Sequence, residues 1–137
     1  MTPLLIDTGP LVALLDADDA AHARCVEQLK LVRVPLVTSW PVVTEAMYLL
    51  GGSWEGQRAL LEMIDTETIL IEELRGSIGR IEKLMAKYRD VPMDFADASL
   101  VAIAEANGWE GIFTLDGDFR VYRMGGKRAF QVVPQAR

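Results

Sequence analysis

The sequence predicts an α/β fold: a mainly parallel sheet with helices on both faces. Three observations carry this. Short apolar runs of strand length alternate with longer segments of helical periodicity along the whole chain, and such alternation builds parallel sheets covered by helices. Half of the 137 residues are hydrophobic, enough for a proper core. No internal repeat or linker interrupts the pattern, so residues 1–137 are expected to form a single domain.

The first strand is the run Leu4-Leu5-Ile6, ending in Asp7 and followed by the turn-forming Gly9-Pro10. Leu11, Val12, Leu14 and Leu15 then recur at helical spacing. A second helix is expected from about Ala20 to Leu31, with Ala21, Cys25, Val26 and Leu29 on one side, and Pro35 marks its end. Leu36-Val37-Thr38 reads as a short buried strand. Ser39-Trp40-Pro41 supplies a hydroxyl cap and a first-turn proline for a helix, which carries Glu45 and stops at Gly51-Gly52. Ser53–Ile64 gives a further helix, and Thr68–Ile71 has the β-branched density of a strand. An amphipathic helix is expected from about Leu74 to Arg89, with Ile78, Ile81, Leu84 and Met85 as its apolar stripe. Asp94–Asn107 is nearly all apolar, so it should be buried rather than lie on the surface. Gly111–Thr114 is a strand that ends in the acidic turn Leu115-Asp116-Gly117-Asp118. Ala129–Val133 is read as the last strand.

Fourteen basic against twenty acidic residues give a net charge of −6. That argues against a passive nucleic-acid coat protein, since phosphate binding needs positive surface, but it is compatible with a nuclease whose acids hold metal ions. No apolar run approaches the roughly 20 residues of a membrane span, and the N-terminus lacks the pattern of a signal peptide. The single Cys25 reads as a buried small hydrophobe and fits a reducing compartment, so a cytoplasmic location is expected.

The acids carry the chemistry. Asp7 and Asp116 each follow an apolar strand directly; in parallel neighbours both would emerge at the edge where open α/β sheets bind ligands. Each also suits a turn or a helix cap. Glu45 lies early in a helix that begins just past a strand, and Val42, Val43, Ala46 and Met47 around it are apolar. Its alternative role is to complement the helix dipole. Asp97 is embedded among Phe95, Ala96, Ala98, Leu100 and Val101, where an unpaired carboxylate is costly. Asp94 is the natural N-cap of that helix, and with Asp97 it approaches a capping box. Asp118 reads either as a further ligand or as a turn former.

Four or five carboxylates brought together repel one another unless cations neutralise them, and hard ions such as Mg²⁺ or Mn²⁺ prefer oxygen ligands. Such an assembly suits phosphodiester hydrolysis. His22 is the only histidine, which disfavours a zinc hydrolase or a Ser-His-Asp triad, and there is no Cys-x-x-Cys and no Walker-type loop.

Four fragments in this order, Leu5-Ile6-Asp7-Thr8-Gly9-Pro10, Val37-Thr38-Ser39 with Glu45, Met93–Leu100, and Thr114-Leu115-Asp116-Gly117-Asp118-Phe119, resemble the PIN-domain ribonucleases, and among them the VapC-type toxins of toxin–antitoxin pairs. The resemblance implies a three-layer α/β/α sandwich and a Mg²⁺- or Mn²⁺-dependent endoribonuclease. By position it assigns Asp7, Glu45, Asp97 and Asp116 to the acidic quartet, with Asp118 as a fifth acid and Asp94 at a variable position. Thr8 and Thr114 look like the hydroxyls that bond site carboxylates or water. The resemblance also implies a homodimer, and a small antitoxin whose C-terminal segment covers the acidic groove.

Arg120, Arg123, Lys127 and Arg128 follow the last acidic turn and are read either as a solvated edge or as contacts to RNA phosphates. Trp40, Tyr48 and Trp54 are read as core or dimer interface. Three alternatives remain open: a nuclease of the same fold that acts in RNA processing rather than as a toxin, a phosphotransfer or phosphatase domain with an acidic pocket, and a binding module that keeps the acids only for structure.

Overall fold

Residues 1–135 are described by a computed structural model. Five short strands form one parallel sheet: β1 (Leu4–Ile6), β2 (Leu36–Thr38), β3 (Ile69–Ile71), β4 (Gly111–Phe113) and, last in the chain, β7 (Gln131–Val133). Six α-helices flank it: α1 (Thr8–Leu15), α2 (His22–Leu31), α3 (Trp40–Leu49), α4 (Trp54–Asp65), α5 (Ile78–Lys87) and α6 (Phe95–Asn107). The architecture is the expected three-layer α/β/α sandwich.

The strand order is β3-β2-β1-β4-β7. The chain therefore winds outward from β1 to β2 and β3, then returns to lay β4 on the other side of β1. Leu5 sits in register with both Val37 and Ile112, and Ile6 with Phe113. Leu5, Ile6, Ile112 and Phe113 are all fully buried, which is why these strands are apolar at every position. A reversal of winding opens a crevice at the C-terminal ends of the two strands it separates, here just beyond Ile6 and Phe113.

Local signals hold where they were strong. Ser39 caps α3, accepting from the Val42 amide at 3.4 Å, and Ser53 caps α4, accepting from the Gly56 amide at 3.0 Å. The apolar helix α6 is buried without a break from Ala96 to Ala104 and closes at Gly108 in the left-handed region (φ 71°), where glycine meets no steric penalty. Cys25 is fully buried, as expected of a small hydrophobe.

Three expectations are corrected. The amphipathic helix starts at Ile78 rather than Leu74, because Gly76 takes φ 83° in a turn whose Leu74 carbonyl accepts from the Ser77 amide. The expected strand Ala129–Val133 is split. Arg128–Ala129 (β6) pairs antiparallel with Arg123–Met124 (β5) through a Gly125-Gly126 turn with positive φ at both glycines, and only Gln131–Val133 joins the main sheet. Phe130, between them, turns into the core. Finally, Trp40, Tyr48 and Trp54 are not core: they are 49%, 84% and 63% exposed.

Candidate active site

Asp7 ends β1 and caps α1 in extended geometry (φ −92°, ψ 170°). Its Oδ1 accepts from the Thr8 amide and its Oδ2 from the Thr114 hydroxyl, each at 2.8 Å. Thr114, directly after β4, in turn accepts from the Asp116 amide at 3.0 Å. One hydroxyl thus ties the acid after β1 to the acid after β4. Asp116 caps the short 3₁₀ turn Gly117–Arg120, its Oδ1 accepting from the Asp118 amide at 2.9 Å.

Asp97 arrives from the N-terminus of α6. The capping box is formed: Asp94 Oδ1 accepts from the Asp97 amide at 2.8 Å, and Asp97 Oδ2 accepts from the Asp94 amide at 3.4 Å. The same Oδ2 also accepts from the Tyr122 hydroxyl at 3.1 Å. Local capping and presentation to the crevice are therefore not alternatives for Asp97; its carboxylate does both.

Ligand oxygens of Asp7, Asp97 and Asp116 all lie within 4.8 Å of one another. Burial and mutual repulsion show in their proton affinity. Burial pushes Asp7 up to about 6, with smaller contributions from Asp116 and Glu45. Burial, Asp94 and Asp7 push Asp97 up to about 7. The buried Tyr122 phenol is driven well above its ordinary range by burial and by the Asp97 charge, so it stays a proton donor.

The remaining expected residues take distinct places. Glu45, on α3, stands outside this 4.8 Å set and is half-buried, its carboxylate without a hydrogen-bond partner among the described residues. It lines an adjoining open groove of about 720 Å³ with Trp40, Tyr48, Leu74, Asp94 and Phe95. A buried hydroxyl pair, Ser39 Oγ to Ser99 Oγ at 2.6 Å, fixes the start of α3 against α6 and so sets Glu45 relative to Asp97. Asp118 is also outside the set, and its backbone amide donates to Asp116 Oδ1. The Thr8 hydroxyl is buried without a partner.

The basic residues scatter. Arg120 lines a cavity beside Asp116. Arg123 folds back on the carbonyls of Arg120, Val121 and Tyr122. Lys127 is exposed in the hairpin turn. Arg128 does not lie near the acids as its sequence position suggested: it is paired with Glu110, which precedes β4 at the opposite edge of the sheet. Sequence reading missed Tyr122, whose only signal is an aromatic inside a stretch rich in arginine, and Arg24 of α2, which gives no local signal at all.

Fold and site together define a doubly wound α/β protein with a cluster of three carboxylates at its switch point. The chain belongs to the PIN-domain family: the PIN domain profile matches residues 4–124. Among curated proteins, it is 30% identical over 143 residues to Ribonuclease VapC26 of Mycobacterium tuberculosis (strain ATCC 25618 / H37Rv), covering 96% of this chain and all of that protein. Among solved structures, it superposes on the crystal structure of Mycobacterium tuberculosis VapC20, described as a Sarcin-Ricin loop cleaving toxin. The TM-score is 0.76 at 21% identity, over 86% of this chain and 93% of that one. Its relatives are thus VapC-type members of the family.

Proposed function

We propose that this chain is a single-domain endoribonuclease, the toxin of a toxin–antitoxin pair, which hydrolyses RNA phosphodiesters with Mg²⁺ or Mn²⁺ at Asp7, Asp97 and Asp116. The observation that carries this reading is the convergence of three carboxylates from three separate segments, with no ion pair to any of them among the described residues.

The donor set fits a hard divalent cation. It is all oxygen. In Asp97 and in Asp116, Oδ2 and Oδ1 respectively are engaged by protein donors, which leaves the other oxygen of each without a protein partner. The orphaned Thr8 hydroxyl adds a further oxygen next to Asp7. Held by these residues, a divalent ion would supply Lewis acidity, lowering the pKa of water and offsetting phosphate charge.

The side chains supply the rest. Thr114 holds Asp7 and the Asp116 loop in one orientation, and Tyr122 holds Asp97. In this reading Glu45, which lines the adjoining groove, accepts a proton from the attacking water, and Asp118 adds to the acidic surround. In the reaction, the oxygen of water bonds to phosphorus and the phosphorus–O3′ bond breaks. The leaving O3′ takes up a proton. The products are a 5′-phosphate and a 3′-hydroxyl.

The exposed Trp40, Tyr48 and Trp54 support a covered surface: a homodimer, and an antitoxin segment over the acidic groove. No helix among the described residues is long and apolar enough to cross a membrane. Membership of the PIN family favours this reading over phosphotransfer chemistry.

The test is RNA cleavage by wild type and Asp97→Asn, with Mg²⁺ and with EDTA. Only wild type with Mg²⁺ should cut, leaving 5′-phosphate ends. Equal cutting by both proteins, indifference to EDTA, or 2′,3′-cyclic phosphate ends would each overturn it.

A further inference from the structure

Beside the acids, on the β4–β7 side, lies a smaller cavity of about 260 Å³. Arg24 of α2 and Arg120 of the 3₁₀ turn line it, together with Thr114 and Asp116 and the apolar Leu115, Val132 and Pro134. Resting on the ribonuclease reading above, we propose that this cavity is a phosphate subsite: Arg24 and Arg120 together bind a backbone phosphate of the RNA strand adjacent to the one that is cleaved.

Four observations converge on it. First, neither guanidinium takes part in an ion pair among the described residues, although Asp116 lines the same cavity. The arrangement leaves room for an anion between them rather than collapsing onto the acid. Second, Arg24 is half-buried and one of its amino groups is anchored, Nη2 donating to the Gln135 carbonyl at 2.8 Å. A guanidinium has five N–H donors in a fixed plane, so this bond orients the side chain while leaving donors for a phosphate, whose oxygens it matches in pairs. Third, the cavity volume holds a phosphate group and several waters, each water taking about 30 Å³. Fourth, the chain carries a net charge of −6 and presents RNA with an acidic crevice. Retaining a polyanion there requires local positive charge, and this cavity supplies it directly against Asp116. Of the other basic residues after the acidic turn, Arg128 is paired with Glu110 at the opposite edge of the sheet, and neither Arg123 nor Lys127 lines this cavity.

The test is steady-state cleavage of a single-stranded RNA in Mg²⁺ at several salt concentrations, for wild type, R24Q, R120Q, R24Q/R120Q and the control R58Q. Arg58 is exposed on α4 and paired with Glu55. Each cavity substitution should raise KM about tenfold with little change in kcat. The double variant should flatten the slope of log(kcat/KM) against log salt by about 0.7, the share of the one phosphate it no longer neutralises. The Mn²⁺-induced rise in Tm should stay as in wild type, and R58Q should match wild type throughout. The single variants carry the test if the double variant fails to fold. Wild-type KM and salt slope in the cavity variants, a loss confined to kcat, or an equal KM shift in R58Q would overturn the subsite while leaving the nuclease reading intact. Absence of Mg²⁺-dependent cleavage by wild type would overturn both.

Discussion

Helix α6 carries two acids near its two ends, and their surroundings are opposite. Glu105, toward the C-terminus, takes a two-pronged pair from Arg80 at 2.7 Å on each oxygen. It also accepts from the Gly125 amide, and Arg80 above all holds its carboxyl below the usual range. Asp97, toward the N-terminus, has Asp94 and Asp7 as charged neighbours and no ion pair among the described residues. Its carboxyl is pushed up to about 7, chiefly by burial. A structural acid in this protein is given its cation by the fold. The crevice acids are left short of one, although a buried unpaired carboxylate is strongly unfavourable. The deficit is what a divalent ion would fill, and four experiments break or sharpen the contrast.

The largest effect is expected from Asp97→Asn. Changes in groups that only support metal ligands cost about 10–100-fold in affinity, so loss of a ligand should weaken Mn²⁺ binding by at least about a hundredfold by titration calorimetry. The apo protein should be no less stable than wild type, because a buried charge has been removed. A destabilised apo variant with unchanged Mn²⁺ affinity would make Asp97 a capping residue alone.

Tyr122→Phe removes the hydroxyl that orients Asp97 and keeps the ring, which packs edge-on against Phe119 and Tyr88 at 5.1 Å. Mn²⁺ affinity should fall about tenfold with only a small change in Tm. An unaltered affinity would show that the capping box suffices to hold Asp97.

The pH dependence has a definite sign. Asp7 and Asp97 have native pKa values of about 6 and about 7, above the ordinary 3.8. Between those limits the native state binds more protons than the unfolded one. Apo stability from these groups is therefore full below about pH 4 and is lost as pH rises toward 7. Metal binding runs the other way, since it needs the deprotonated acids. The Tm increment produced by Mn²⁺ should be large above pH 7 and shrink toward pH 5. An increment that does not vary with pH would mean the ion binds elsewhere.

The smallest effect belongs to the other end of α6. Glu105→Gln breaks a partly exposed pair and should cost about 1 kcal/mol by denaturant unfolding, leaving RNA cleavage and Mn²⁺ affinity as in wild type. A loss of metal affinity here would mean that α6 transmits strain along its length and that its two ends are not independent.

Several features were legible in the residues alone, because they depend on neighbours a few positions away. The caps Ser39 and Asp94, the buried character of α6 and the strand-then-acid pattern at Asp7 and Asp116 all follow from hydrogen bonding and periodicity within one or two turns. The alternation of strands and helices was likewise enough for the three-layer class. The end of the chain was less legible: Ala129–Val133 is mostly apolar and reads as one strand, and only the Gly125-Gly126 turn before it divides the segment between a hairpin and the main sheet. The three exposed aromatics were misplaced in part for a related reason, since hydrophobicity reports what an element tends to bury and not whether a neighbour is present to bury it.

What stayed beyond the sequence is convergence. Four acids after strands or at helix starts are a list until the order β3-β2-β1-β4-β7 puts Asp7 beside Asp116 and lays α6 over both. Strand order depends on contacts between residues more than a hundred positions apart, such as the Thr114 hydroxyl on Asp7, and no local pattern encodes them. The same long-range packing keeps Glu45 and Asp118 outside the tight cluster, brings Tyr122 to Asp97, and sets Arg24 in the same cavity as Arg120. The residue types supplied the chemistry; the winding of the sheet chose which of them share a site.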